Sequence, residues 1–185
     1  VRHFYYTSAP LQGDLPEKPL TTDRETGSMR GPDGKVVHAD YVLTDGTVDV
    51  GGQVVAQDAR KGIVLRRIFG PLRQVSRVDG LYPQDTWSGR EVTYTRLGCR
   101  GGSVAVTLQS DPGLFTKPTT VVASVDGRRV ARASVAPTAT EFLTVPLVRH
   151  GESCVVRFTV SPTAVPKVVT NGQNPDPREL GVHFT

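Results

Sequence analysis

Apolar and polar residues alternate most regularly between Thr120 and Ala136. Val121 and Ala123 fall on one face of a first run, and Ala131, Ala133 and Val135 on one face of a second. A period of two marks a half-buried strand, and Asp126-Gly127 between two such runs is a strong hairpin signal. All five apolar positions are odd, so the strands must pair with an even residue sum to place both apolar rows on one face. A two-residue turn at Asp126-Gly127 gives an odd sum and would turn Arg128 or Arg132 inward. The pattern therefore predicts a three-residue loop, Val125-Asp126-Gly127, with Gly127 left-handed in a G1 bulge.

The same period predicts strands at Val36 to Thr44, Val48 to Ala56, Gly62 to Phe69, Leu72 to Tyr82 and Glu91 to Arg96, then at Ser103 to Gln109, Glu141 to Val148, Ser153 to Ser161 and Leu180 to Thr185. Turn chemistry separates them, including Asp45-Gly46 and Gly70-Pro71, while Gly51-Gly52 marks a bulge or bend in the second strand. Short strands at this spacing predict an all-β domain, a two-sheet β-sandwich or jelly roll. Composition agrees. The 185 residues include 19 Gly and 14 Pro and no long Leu/Ala/Glu/Lys-rich helical stretch, and this length suits one domain with a full core plus an arm.

We read residues 1–35 as an irregular arm and residues 36–185 as the sandwich. The arm opens on Arg2-His3-Phe4-Tyr5-Tyr6 and continues through Pro10, Pro16, Pro19, Gly27, Gly31 and Pro32. Its aromatic and basic start fits the interface end of a membrane helix, with the chain an excised piece of a longer protein. The alternative is an N-terminal strand packing its aromatics on the sandwich. No signal peptide and no apolar run long enough to span a bilayer is present.

The net charge of +4 is unevenly spread: Arg60 to Arg77 holds six basic residues and no acidic one. Such a segment suits an anionic partner, or is a solvated face with acids supplied by neighbouring strands. Nucleic acid is not expected as a partner, because no recognition helix, zinc-finger spacing or ribonucleoprotein motif accompanies the charge. Cys99 and Cys154 each begin an apolar alternating run, and spacing alone leaves two buried thiols and a single bridge equally open.

Catalytic chemistry finds little support. There is no G-x-S-x-G elbow, and the histidines at 3, 38, 150 and 183 are scattered. H-E-x-x-H is absent, and Asp45-Gly46-Thr47-Val48-Asp49 is not an EF-hand loop; a structural Ca²⁺ held by loop oxygens is the only cofactor allowed for. Arg100-Gly101-Gly102-Ser103 lacks the phosphate-binding lysine and precedes a strand. Asp79, Asp85 and Glu91 flank Trp87, so a hydrolytic carboxylate pair is conceivable only if two of them converge across a cleft.

What stands out is one loop carrying Tyr82, Asp85 and Trp87, the single tryptophan. An exposed aromatic beside acids is the usual material of a sugar site, the ring covering an apolar sugar face and the acids taking hydroxyls. In the competing reading, Trp87 and Tyr82 plug one end of the sandwich. Exposure of Trp87 separates the two.

Several phrases together, Gly80-Leu81-Tyr82-Pro83 through Trp87-Ser88-Gly89, Val92-Thr93-Tyr94, Cys99-Arg100-Gly101-Gly102 and Asp176-Pro177-Arg178-Glu179-Leu180-Gly181-Val182, resemble the extracytoplasmic C-terminal β domains of actinobacterial polytopic membrane glycosyltransferases. The tail is similar to the closing strand of galactose-binding-like sandwiches in that group. The resemblance implies a non-catalytic module that binds or positions a glycan or glycolipid at the outer face of the membrane, catalysis residing in a membrane portion of the parent chain. It also implies an oxidising exterior and hence a Cys99–Cys154 bridge. No catalytic residue carries over. Asp176 and Arg178 are expected to form a buried pair closing the sandwich rather than a ligand site. The alternative function is a ligand-free domain that docks on the membrane portion of its own chain or on a partner protein.

Overall fold

The computed structural model describes residues 4–6, 20–23, 26–58, 62–82 and 85–185. Its first half carries β1 (Phe4–Tyr6), β2 (Thr21–Thr22), β3 (Met29–Arg30), β4 (Tyr41–Thr44), β5 (Val48–Asp49), β6 (Gln53–Asp58), β7 (Ile63–Arg67), β8 (Ser76–Leu81) and β9 (Ser88–Leu97). The second half carries β10 (Gly102–Gln109), β11 (Thr119–Val125), β12 (Arg128–Val135), β13 (Thr140–Leu147), β14 (Arg149–His150), β15 (Ser153–Ser161), the one-turn helix α1 (Pro166–Val169) and β16 (His183–Phe184).

The strands form an all-β sandwich. One sheet runs β12-β11-β15-β9-β8-β5, with β14 on β15, and the other runs β13-β10-β16. Alternation decides which side chains meet between them. Val121, Ala123 and Val125 of β11 and Val156, Phe158 and Val160 of β15 are buried in one cluster with Leu143, Val145 and Leu147 of β13 and Phe184 of β16. Phe158 and Phe184 meet edge to face at 5.4 Å, an arrangement that favours the ring edge against the π face. A smaller sheet, β1-β4-β7-β6, flanks the sandwich. A second core joins it, built from Met29, Val37, Ala39, Val42, Val50 and Leu72. Met29 thus brings part of the segment read as an arm into a buried cluster, and Phe4–Tyr6 pairs in parallel with β4.

The central hairpin keeps the even-sum register, Val121 opposite Ala133 and Ala123 opposite Ala131. The three-residue loop is not how it gets there. Asp126 and Gly127 form a two-residue turn, both left-handed at φ 48° and 75°, with Val125 opposite Arg128. Positive φ at both positions matches the twist of the flanking strands. The register is then corrected by a bulge between Ala123 and Ser124, where Val130 is the extra residue on β12. Arg128, Arg129 and Arg132 all remain exposed.

The strand predicted at Val48 to Ala56 is likewise two strands in different sheets. Gly51 and Gly52 both have positive φ, 71° and 81°, and they turn the chain from β5 in the large sheet into β6 in the small one. A bend that only glycine adopts freely separates the two sheets here.

Cys99 and Cys154 form a disulfide, with Cα atoms 5.6 Å apart. Cys99 lies where the chain leaves β9 for β10, so the bridge pins the corner between the two sheets to β15. Fifty-five residues separate the cysteines, and closing a loop of that length restricts the unfolded chain. Replacing both cysteines by serine is expected to lower stability by about 2–4 kcal/mol in urea unfolding, with the midpoint falling and the slope rising as the unlinked unfolded chain expands and exposes more surface.

Candidate functional site

The site is built on the turn between β8 and β9. Leu81 and Ser88 are the last paired residues, so the chain must reverse between them. Tyr82 N–H donates to the Trp87 carbonyl at 2.8 Å and Thr86 N–H to the Tyr82 carbonyl at 3.0 Å. The Asp85 carboxylate accepts from Trp87 N–H at 3.4 Å, an acidic side chain capping its own turn.

A second segment locks this turn from across the chain. The Arg178 guanidinium donates to both Asp85 carboxylate oxygens, at 3.2 and 2.6 Å, and to Asp176 Oδ2 at 2.7 Å. Its Cζ also lies 4.7 Å from the centre of the Tyr82 ring, within cation–π range. The pair Asp176–Arg178 expected from the tail is present, but as part of a triad with Asp85, half-buried rather than buried. Arg178 holds the Asp176 carboxyl below the usual carboxylate range, chiefly through its side-chain hydrogen bond. A carboxylate so stabilised is a poor general acid, and the two acids brought together here, Asp85 and Asp176, are both engaged by one cation. Glu179 extends the network: its Oε1 accepts from Arg90 at 2.8 Å and from the Thr163 hydroxyl.

Trp87 does not present its ring to solvent. It is 8% exposed and packs with Phe115, Ala164 and Leu180, with Tyr82 at the edge of the same cluster. Of the two readings of Trp87, the buried plug describes it and the exposed stacking ring does not. His183 stacks on the indole, ring centres 3.8 Å apart, and its Nδ1–H donates to the Asp85 carbonyl at 2.9 Å. Burial keeps the His183 pKa below the ordinary histidine value, opposed by that carbonyl.

The loop sits between two openings. On one side, a groove of about 360 Å³ runs between the small sheet and the sandwich, walled by Val64, Leu81, Tyr82 and Phe184 and bordered by Asp45, Thr47, Gln57 and Thr86. On the other, a depression of about 270 Å³ is lined by Trp87, Leu114, Asp111, Thr170, Asn174 and Asp176. Polar groups of the depression are largely spent on the protein itself. Asp111 accepts from Gly113 N–H, Asn174 from Asp176 N–H, and Asp176 from Arg178. The groove differs. Asp45 is 4% exposed, and although its Oδ1 takes the N–H and hydroxyl of Thr47 at 2.9 and 2.6 Å, its Oδ2 has no hydrogen-bond partner. Such a buried acceptor costs on the order of 1–3 kcal/mol until a donor reaches it.

Elsewhere, the basic segment is partly neutralised by neighbours. Arg66 pairs with Asp49 at 3.3 Å and Arg77 with Asp79 at 3.1 Å, while Arg67 lies over Phe69; Arg60 and Lys61 lie outside the described residues. Among the described residues no three His, Cys, Asp or Glu side chains gather as a metal site, and no helix is long and apolar enough to cross a membrane. Sequence reasoning named Tyr82, Asp85 and Trp87 as one site; the structure divides them between the groove, the Arg178 triad and the plug. Asp45 was read as a turn residue in a segment that is not an EF-hand loop, and nothing in its local pattern marks the unpartnered oxygen.

No known protein family, curated protein or solved structure matches this chain.

Unfolded histidine binds its proton near pH 6.5, above the depressed value in the fold. The unfolded state therefore takes up more protons as the pH falls, so the stability tied to neutral His183 is complete at pH 8 and declines below about pH 6.5. The thermal midpoint should fall between pH 7.5 and pH 5.5, and the fall should shrink in His183→Phe. An equal pH dependence in that variant would assign the effect to other groups.

Proposed function

We propose that this chain is a non-catalytic carbohydrate-binding domain, a module that positions a glycan at the outer face of the membrane for a cell-envelope glycosyltransferase. The observation that carries the reading is the loop of Tyr82 to Trp87. It is held by Arg178 on the ridge between two openings, each with apolar walls and a border of hydroxyl, amide and carboxylate groups. Sugars ask for that combination: apolar surface for the ring's C–H face and fixed polar groups for its hydroxyls. Trp87 contributes from beneath, as the support of the loop. The motifs that resemble envelope glycosyltransferase domains favour the same class, a jelly-roll order belongs to that proposal, and the Cys99–Cys154 bridge is compatible with an oxidising, extracytoplasmic setting.

A docking domain without a ligand is the second reading, favoured by β6. All six of its residues are exposed, Val54 and Val55 among them, and among the described residues it is an edge strand of the small sheet. A sheet edge is where a partner chain can add by sheet extension.

Titration of the 185-residue chain with oligosaccharides of arabinan, galactan and mannan tests the first reading. Saturable binding of one of them, by calorimetry, is the expected outcome. No heat of binding from any of the three at millimolar concentration would leave the docking domain as the better account.

A further inference from the structure

We infer that the groove between the small sheet and the sandwich is the saccharide subsite, and that on binding its wall at Asp45 shifts so that a ligand hydroxyl donates to Oδ2, which has less than 1 Å² of accessible surface in this structure. This inference rests on the carbohydrate-binding reading and says where on the molecule it operates. Turn formation accounts for Oδ1 of Asp45, which takes both donors of Thr47. It leaves Oδ2 unexplained, because an asparagine would cap the same turn and place no second acceptor at this edge.

The groove's other walls narrow the ligand class. Val64, Leu81, Tyr82 and Phe184 supply apolar surface, and Thr47 and Thr86 supply hydroxyls at the border. Arg178 covers the Tyr82 ring and the Tyr82 hydroxyl reaches the Glu179 carbonyl at 3.4 Å, so this wall is set before a ligand arrives. Among the described residues no Lys or Arg lines the groove; Arg60 and Lys61 lie outside them. A carboxylate with no cation beside it repels phosphate and uronate groups and accepts from neutral hydroxyls. Its described lining suits a neutral sugar unit with one apolar face, and the volume of about 360 Å³ is within the range of small-molecule sites. Two other openings lack this signature. The depression beside Trp87 has engaged polar groups, and a wider hollow of about 480 Å³ near Leu20, Gln74 and Thr95 holds none of the unpartnered buried atoms.

The test combines amide chemical-shift mapping with one substitution, using the full chain and the same arabinan, galactan and mannan oligosaccharides. Binding should move the amides of Gly46, Thr47, Gly62 and Thr86. Asp45→Asn keeps the Oδ1 acceptor for Thr47 but turns the Oδ2 position into a donor, and should raise Kd about tenfold or more with the thermal transition retained. Gln57→Trp, at an exposed position on the groove's border, should block binding by bulk. Shifts confined to Gly113, Thr170 and Asn174, with Asp45→Asn binding as well as the parent chain, would overturn the subsite and leave the carbohydrate reading standing. If no oligosaccharide moves any amide, both fall together. Because mapping uses the unsubstituted chain, a failure of Asp45→Asn to fold does not remove the test.

Discussion

One guanidinium ties together the end of this molecule that carries the β8–β9 turn. Arg178 bonds to Asp85 from the β8–β9 turn and to Asp176 from its own segment, and it lies against the ring of Tyr82. Arg178 and Asp85 stand 93 residues apart in the chain. The planar fork of arginine suits this task, since it meets one carboxylate with two parallel bonds and still presents further N–H groups and a flat face. A lysine could satisfy one of these demands at a time. The triad is half-buried, so its worth is moderated by solvent, yet it fixes geometry at the place where the turn would otherwise be free to open.

Beneath the triad lies a largely apolar layer. Trp87 with Phe115, Ala164 and Leu180 seals that end of the sandwich, and His183 stacks on the indole while bonding to the Asp85 carbonyl. The two layers are linked where Trp87 N–H donates to the Asp85 carboxylate and His183 to the Asp85 carbonyl, and Tyr82 touches both layers and the groove. At the opposite level of organisation, the disulfide holds the corner between β9 and β10 to β15, so the sheets that carry these layers are joined by more than packing.

The parts of the fold that follow from local alternation were legible in the sequence. Strands from Ser103 to Ser161 appear where a period of two is sustained, and the even-sum register of the hairpin follows from which valines and alanines must share a face. The device that sets that register was not legible. A bulge at Val130 and a three-residue loop satisfy the same parity, and only the turn geometry at Asp126-Gly127 distinguishes them. The break at Gly51-Gly52 was visible as a bend but not as a change of sheet, because sheet membership depends on partners far along the chain. The candidate site was legible in its residues and not in their roles. Tyr82, Asp85 and Trp87 were picked out together; that Trp87 faces inward and that Asp85 answers to Arg178 are facts of the tertiary fold. Asp45 gave no signal, since its turn is ordinary and its distinguishing oxygen is defined by what fails to reach it.

If the Arg178 triad presets the binding end, glycan affinity must depend on it while the sandwich does not. The decisive measurement is the calorimetric affinity of Arg178→Met for whichever arabinan, galactan or mannan oligosaccharide the parent chain binds, alongside its unfolding curve. The account predicts a cooperative unfolding transition still present and an affinity weaker by about tenfold, the order expected when a charge-assisted contact that orients a site is lost. An Arg178→Met chain that binds the glycan as tightly as its parent would contradict it.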